Sequence, residues 1–198
     1  MKNCKIALTG AGGVGKGTLI KEFRKLRPDF VAITSPMRPV AAIISPEASN
    51  YEDYDEQGKR LLQYSCLCAE MNAERVLSEN GSSFVAERSV IDFLPYYEQA
   101  FDDSRTYADC IHRYLEENPY DILAYIPEEF APTEADLKEN TWKERNSRKR
   151  AMTNARLKEI LESVRKDFPS ISVITVTGTP TERASILCKA VEHHESNP

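Results

Sequence analysis

The sequence predicts an α/β protein with three layers, in which a five-stranded parallel sheet is flanked by helices. Short apolar runs alternate with longer stretches of helical periodicity along the whole chain. This alternation is typical of parallel sheets, whose strands are buried on both faces by crossover helices. The 198 residues contain no internal repeat and no linker-like segment, so we expect a single domain over residues 1–198.

Five apolar runs are predicted to form the strands. Each run is short, contains β-branched residues and ends at glycine, proline or polar residues. The predicted strands are residues 5–9 (KIALT), 30–34 (FVAIT), 83–87 (SFVAE), 120–127 (YDILAYIP) and 171–177 (ISVITVT).

Helices are predicted between these runs. After the first strand, apolar residues recur at helical spacing until Pro28 stops the pattern. The predicted helices are residues 16–26, about 54–79, 107–118, 154–168 and a last helix that begins near Thr181.

Composition and charge narrow the class of protein. The hydrophobic fraction of 41% is ordinary for a globular protein, and no apolar run approaches the ~20 residues of a membrane span. The net charge of −5 disfavours nucleic acid as a partner, although a local basic patch stays open. Five scattered cysteines indicate reduced thiols, so we expect a cytoplasmic location. A homodimer is compatible with these features.

Residues 10–18, GAGGVGKGT, are predicted to form a phosphate-binding loop between the first strand and the first helix. Glycines let backbone N–H groups approach phosphate oxygens, the lysine supplies a mobile positive charge, and the helix N-terminus favours an anion. A dinucleotide-binding turn fits less well, because no acidic residue ends the second strand. The predicted nucleotide-binding residues are Gly10, Ala11, Gly12, Gly13, Val14, Gly15, Lys16, Gly17 and Thr18.

Gly17 departs from the common form of this loop. Many P-loop NTPases have a serine or threonine directly after the lysine, and its hydroxyl binds Mg²⁺. The form G-x-x-G-x-G-K-G-T resembles the nucleoside monophosphate kinases, adenylate kinase above all. This resemblance implies a P-loop NTPase fold with ATP and Mg²⁺ as cofactors. It also implies that the metal is held largely through water and that Thr18 lies near the phosphates.

A second constellation, Glu87-Arg88-Ser89, ends the third predicted strand and should therefore emerge beside the loop. The carboxylate can orient metal-bound water or accept a proton from an acceptor hydroxyl, and the guanidinium can hold a phosphoryl group. ERS resembles the deoxynucleoside kinases, and DR is the thymidylate kinase form. The stretch ERSVIDFLPYY also resembles the P-loop family that includes the nicotinamide riboside kinase domain, in which the later aspartate, here Asp92, lies at the acceptor site. A surface ion pair with Asp92 as a helix cap is the structural alternative.

Three further features are candidates for the acceptor site, the lid and the adenine site. Arg38 is placed like the acceptor-phosphate arginine of monophosphate kinases, although a solvated arginine is an alternative. Kinases of this type carry an arginine-bearing lid where residues 133–150 lie, and Arg145 and Arg148 are the first choices for it. A charged helix face or a contact with a nucleic-acid backbone would also explain that basic stretch. Gly178, after the fifth strand, is predicted to allow close approach of the adenine base.

The deoxynucleoside kinases differ from this chain in one respect. They have a glutamate soon after the second strand, whereas no acidic residue occurs here between Asp29 and Glu47. A close match to that family is therefore not expected.

We expect a single P-loop kinase domain that transfers the γ-phosphoryl group of Mg-ATP to a nucleoside monophosphate or a nucleoside-type acceptor. Two alternatives stay open, a kinase acting on a hydroxyl of a modified nucleotide within DNA, as in phage, and a regulatory P-loop NTPase without an acceptor. The predicted catalytic residues are Lys16, Glu87, Arg88, Arg145 and Arg148. The predicted substrate ligands are Arg38, Arg88 and Asp92, and the predicted metal ligands are Thr18 and Glu87.

Overall fold

A computed structural model describes residues 3–129 and 147–196, apart from the side chain of residue 147. Its five strands form one sheet in which every neighbouring pair is parallel, in the order β2-β3-β1-β4-β5. The strands are β1 (Lys5–Thr9), β2 (Val31–Ile33), β3 (Phe84–Ala86), β4 (Ile122–Tyr125) and β5 (Ser172–Thr175). The predicted five-stranded parallel sheet is thus confirmed.

Seven α-helices occur in the described part of the chain and flank the sheet. They are α1 (Lys16–Leu26), α2 (Met37–Ile44), α3 (Glu56–Glu79), α4 (Phe93–Glu98), α5 (Arg105–Glu117), α6 (Ser147–Asp167) and α7 (Pro180–Ser196). Two 3-10 turns, Tyr51–Asp53 and Val90–Asp92, precede α3 and α4.

The buried side chains form two hydrophobic clusters on the opposite faces of the sheet, so the fold has three layers. One cluster joins β1 to α1 and α7 and includes the fully buried Leu19, Phe23 and Leu187. The other cluster joins the sheet to helices α2 to α6 and includes the buried Leu62 and Tyr107. Because both faces are covered, each strand carries a nearly continuous apolar sequence.

The strand order determines where a ligand can bind. β1 lies in the centre of the sheet, with β3 on one side and β4 on the other. The crossover from β1 leads past β3 to β2, whereas the crossover from β3 leads past β1 to β4, so a crevice opens at the carboxyl ends of β1 and β3. The loop after β1 and the residues after β3 therefore meet at one edge.

The structure adds helices that the sequence did not predict. Residues Met37–Ile44 form α2, although Pro36 and Pro39 in the sequence had indicated only the end of β2. Pro39 is tolerated because it lies in the first turn, where its missing N–H is not needed.

α3 begins at Glu56, where the Asp55 carboxylate caps it by accepting from the Gly58 N–H at 2.7 Å. α6 begins at Ser147, earlier than predicted, so the last part of the predicted lid region is helical.

Within residues 3–129 and 147–196, no helix is both long and apolar enough to cross a bilayer.

Candidate active site

The loop between β1 and α1 has the backbone conformation that its glycines predicted. Gly10 and Gly15 have φ values of 152° and 89°. A Cβ at Gly10 would lie 2.5 Å from the Ile126 carbonyl oxygen, so a side chain there would collide with the end of β4. Gly15 is the N-cap residue of α1 in a left-handed conformation that residues with a Cβ rarely adopt. The loop therefore ends at the N-terminus of α1, where anions are favoured.

Hydrogen bonds to the Asp92 carboxylate hold the start of this loop in place. The Asp92 side chain is fully buried. One carboxylate oxygen accepts from the Gly10 N–H at 3.0 Å and the Thr9 hydroxyl at 2.8 Å, and the other accepts from the Ser89 N–H at 3.1 Å. These donors contact both oxygens of the carboxylate inside the protein, and the contact of Asp92 with the acceptor stays a prediction. Its contacts join β1 to the segment after β3.

The side chains of Tyr96 and Arg183 also form hydrogen bonds with the backbone of this loop. The Tyr96 hydroxyl accepts from the Gly12 N–H at 3.1 Å. Arg183, at the start of α7, is 3% exposed and donates to the Val14 carbonyl at 2.7 Å. The same guanidinium forms an ion pair with Glu129. The loop is thus held in one conformation by contacts from several elements, which lowers the entropy cost of binding a phosphate group.

Lys16 lies inside the loop that it belongs to. Its ammonium group is buried and donates to the carbonyl oxygens of Gly10 and Ala11, the latter at 3.0 Å. The pKa of Lys16 is lowered to about 8, chiefly by burial; the negative charge of Asp92 opposes this shift, and the positive charge of Arg88 adds to it. A phosphate in the loop would add negative charge beside this ammonium group and so favour its protonated form.

Glu87 explains why residue 17 is a glycine. A Cβ at Gly17 would lie 3.3 Å from a Glu87 carboxylate oxygen, which is closer than most such contacts in proteins. The other carboxylate oxygen accepts from the Ser35 N–H at 3.2 Å. The space that a serine or threonine side chain would enter is thus occupied by a carboxylate from the end of β3. Thr18, one residue later, is exposed.

Arg88 extends the site on the side of α4. Its guanidinium lies 5.2 Å from the centre of the Tyr96 ring. Burial opposes its charge, yet the nearby Tyr96, Asp92 and Glu87 raise the pKa of Arg88 above its ordinary value. The arginine is therefore charged at any ordinary pH and can bind an anionic group.

Two polar side chains of α3, Glu70 and Gln63, are buried among apolar ones, and Glu70 interacts electrostatically with Arg88 and Glu87. Glu70 is 1% exposed, and neither of its carboxyl oxygens has a hydrogen-bond partner among the described residues. Burial, followed by repulsion from Glu74, raises the pKa of Glu70 to about 9, while Arg88 acts in the opposite direction. Gln63, two turns earlier, is equally buried, and its side-chain oxygen also finds no partner in the described part of the chain. These buried polar atoms face inward without satisfied hydrogen bonds, as expected of a ligand-binding wall.

The family model for the AAA domain matches residues 5–183. The chain belongs to this family. Solved structures of deoxyadenosine kinase from M. mycoides share the fold of this AAA domain. The structure with bound dATP has a TM-score of 0.69 and 17% identity, and the match covers 95% of this chain and 99% of that chain. The structure with the products dCMP and a flexible dCDP has a TM-score of 0.68 and 17% identity. That match covers 96% of this chain and 99% of that chain. No curated protein sequence matches the chain.

These comparisons confirm the predicted P-loop kinase resemblance at the level of the fold. At 17% identity, the similarity to deoxyadenosine kinase shows the arrangement of the helices and strands. It does not show which ligand this chain binds. The ligand has to be inferred from the side chains.

The remaining predicted residues of the AAA domain have different environments. Arg38 is exposed in the first turn of α2. Gly178 has a φ of 94°, and its N–H donates to Glu129 at 3.1 Å. Arg145 lies outside the described residues, whereas Arg148 is exposed near the start of α6. Arg150, at the end of the predicted lid region, is buried and forms an ion pair with Glu128 at 2.7 Å.

Sequence reasoning missed several residues that shape this site. The contacts of Tyr96 with the loop and of Ser35 with Glu87 join segments far apart in the chain, and local patterns carry no signal for them. Glu70 can be recognised in the sequence, because a carboxyl group is unusual beside the apolar residues Cys66 and Leu67 of the same helix.

Proposed function

We propose that this AAA domain is an ATP-dependent phosphotransferase that acts on a nucleoside or a nucleoside monophosphate. The observation that carries the proposal is the contact between the end of β3 and the phosphate loop. The Glu87 carboxylate lies against Gly17, so a group suited to proton transfer or metal binding sits beside the place where phosphates would bind.

The donor, ATP, is assigned to the loop from Gly10 to Thr18. The inward-turned loop amides and the N-terminus of α1 bind the phosphates, and Lys16 exchanges its loop carbonyls for phosphate oxygens. Gly178 is assigned to the adenine side.

Mg²⁺ prefers oxygen ligands, which the Glu87 carboxylate and the exposed Thr18 hydroxyl offer. The chain's residues therefore fit the metal that accompanies ATP. Bound there, Mg²⁺ would neutralise charge on the phosphates.

The acceptor is assigned to the space between α2, α3 and the end of β3. Glu87 orients the acceptor hydroxyl and accepts its proton as the phosphoryl group is transferred, and Arg88 stabilises the negative charge of that group. Gln63 and Glu70 offer unsatisfied oxygen atoms to the polar edge of a base. The deoxyadenosine kinase from M. mycoides, which shares this fold, binds dATP and dCMP and thereby supports an acceptor of the nucleoside type.

Arg38 distinguishes the two kinds of acceptor. It is exposed at the start of α2, on the segment that follows β2. If the acceptor carries a phosphate, Arg38 binds it. Arg145 and Arg148 are assigned to the lid that closes over the transferred group. The single-domain organisation, the cytoplasmic location and the homodimer stay predictions.

The experiment is an acceptor panel with γ-labelled ATP. Nucleosides, deoxynucleosides, their monophosphates and single- and double-stranded DNA are incubated with the enzyme and Mg²⁺, and labelled products are separated. We expect label on one class of nucleoside or monophosphate. Label in DNA would instead support the kinase of modified nucleotides. Label released only as inorganic phosphate in every reaction would refute the kinase and leave an NTPase.

Glu87→Gln is the matched variant for this panel, because it keeps the shape of the side chain and removes its charge. We expect kcat to fall by about 100-fold or more while the Kd of ATP changes little. An unchanged kcat would show that Glu87 serves only to hold Ser35. Glu98→Gln, in the same part of the chain but bonded to Arg156, is the control.

A further inference from the structure

A second cluster of ligand-type side chains lies at the opposite end of the sheet from the phosphate loop. Cys4 precedes β1, Asp121 precedes β4, and His194 belongs to the last turns of α7. The thiol sulfur, a carboxylate oxygen and an imidazole nitrogen of these residues all lie within 4.8 Å of one another. None of the three takes part in the proposed phosphotransfer.

The backbone fixes two of these residues. The Cys4 N–H donates to the Ser83 hydroxyl at 3.0 Å. The Lys5 N–H donates to one carboxylate oxygen of Asp121 at 2.8 Å, and the Asp121 N–H donates to the Lys5 carbonyl at 2.9 Å. These bonds hold the carboxylate in place and leave its second oxygen directed toward His194. A carboxylate held in this way is already oriented as a metal ligand.

His194 supplies the third ligand and has an unsatisfied atom. Its Nε2 lies 3.4 Å from the second oxygen of Asp121. This nitrogen is buried, and no residue in the ranges 3–129 and 147–196 forms a hydrogen bond with it. Ligand atoms around a tetrahedral zinc ion are about 3.3–3.8 Å apart, so the pair already has the required spacing.

We propose that Cys4, Asp121 and His194 bind a zinc-type divalent ion, with water as the fourth ligand. A thiolate and an imidazole favour Zn²⁺ over Mg²⁺, which prefers oxygen ligands alone. Asp121 and His194 are partly exposed, with side-chain exposures of 17% and 19%, so an ion and a water molecule have access. The Cys4 thiol releases its proton to solvent when the ion binds.

The ion would join the C-terminal part of α7 to the starts of β1 and β4. The other end of α7 carries Arg183, which donates to the Val14 carbonyl of the phosphate loop. The proposed site would therefore stabilise the position of a helix that also supports the loop. It does not depend on the proposed kinase activity.

The first test is metal binding by the full-length protein after EDTA treatment. Zn²⁺ is titrated by calorimetry, and Co²⁺ binding is followed by absorption, where a sulfur-to-metal charge-transfer band reports thiolate ligation. We expect one ion per chain, a charge-transfer band and a higher Tm with Zn²⁺. His194→Ala and Asp121→Asn should weaken Zn²⁺ binding by at least about tenfold, and Cys4→Ser should also abolish the band.

The matched controls are His193→Ala and Cys68→Ser, which remove an exposed histidine of the same helix and an exposed cysteine elsewhere. Both should bind Zn²⁺ like the unchanged protein. The Tm of each variant in EDTA shows whether it folds, and His194→Ala carries the test if Cys4→Ser does not. Equal Zn²⁺ affinity in His194→Ala and in the unchanged protein would overturn the proposal, as would the absence of a charge-transfer band.

Discussion

Glu70 places a carboxyl group in the interior at a cost in stability. Its side chain is 1% exposed, its oxygens have no hydrogen-bond partner in the described residues, and its pKa is raised from 4.5 to about 9 by burial and by Glu74. Below the pKa of the unfolded chain, both states are protonated and the group contributes nothing. Above it, the unfolded chain ionises first, so stability is lost as the pH rises toward about 9. At about pH 8 the loss is about 5 kcal/mol, since each pKa unit corresponds to about 1.4 kcal/mol.

Glu70→Gln tests this calculation because glutamine has the shape of the neutral carboxyl group and does not ionise. We expect the variant to be as stable as the unchanged protein at about pH 4 and more stable by up to about 5 kcal/mol at about pH 8. Urea unfolding at several pH values measures the difference, which should grow by about 1.4 kcal/mol per pH unit. Repulsion from Glu74 is part of this difference, because it contributes to the raised pKa of Glu70.

Glu79→Gln is the control on the same helix, because Glu79 is well exposed and should show no such trend. A stability difference between Glu70→Gln and the unchanged protein that does not vary with pH would refute the reasoning. The same variant also reports on function. If Glu70 contacts the acceptor, the KM for the acceptor should rise while the KM for ATP stays constant.

Three further predictions concern the phosphate loop and the acceptor. Lys16→Ala should lower kcat by at least about 100-fold in the labelled-ATP assay, because it removes the charge that stabilises the transferred group. Asp92→Ala should lower the free energy of unfolding by about 3 kcal/mol, measured in urea, since it leaves the buried donors of Thr9, Gly10 and Ser89 unsatisfied. Arg38→Ala should raise the KM of a monophosphate acceptor by at least about tenfold and leave a nucleoside acceptor unaffected.

Each of these three predictions has an outcome that would contradict it. A near-normal kcat in Lys16→Ala would show that the lysine does not stabilise the transferred group. Lys21→Ala, on the exposed face of α1, is the control for this variant. An unchanged urea midpoint in Asp92→Ala would mean that the loop does not depend on its carboxylate. An equal KM for a monophosphate in Arg38→Ala and in the unchanged protein would show that Arg38 does not bind the acceptor phosphate.

The sheet and its main helices were predictable because their signals are local. The three central strands are apolar runs buried on both faces, and the loop after β1 follows a spacing that phosphate binding imposes. The meeting of Glu87 with Gly17 followed from one topological rule, that ligands bind beyond the carboxyl ends of parallel strands. α2 was missed because Pro36 and Pro39 resemble a turn, although proline is tolerated at the start of a helix.

The role of Asp92 could not be read from its neighbours in sequence. Its partners Thr9 and Gly10 lie on another strand and become neighbours only in the folded sheet. The same holds for Arg183, which reaches Val14 from the last helix. Long-range polar contacts of this kind depend on the relative placement of elements, about which periodicity and capping patterns carry no information.

The contact between Glu87 and Gly17 couples the side chains that the two positions can carry. A single change from glycine to serine, which would restore the common loop pattern, brings a Cβ to 3.3 Å from the carboxylate. A side chain there therefore requires the Glu87 carboxylate to shift by a few tenths of an ångström. Glycine at position 17 lets the carboxylate keep its place beside the loop, where it accepts from the Ser35 N–H.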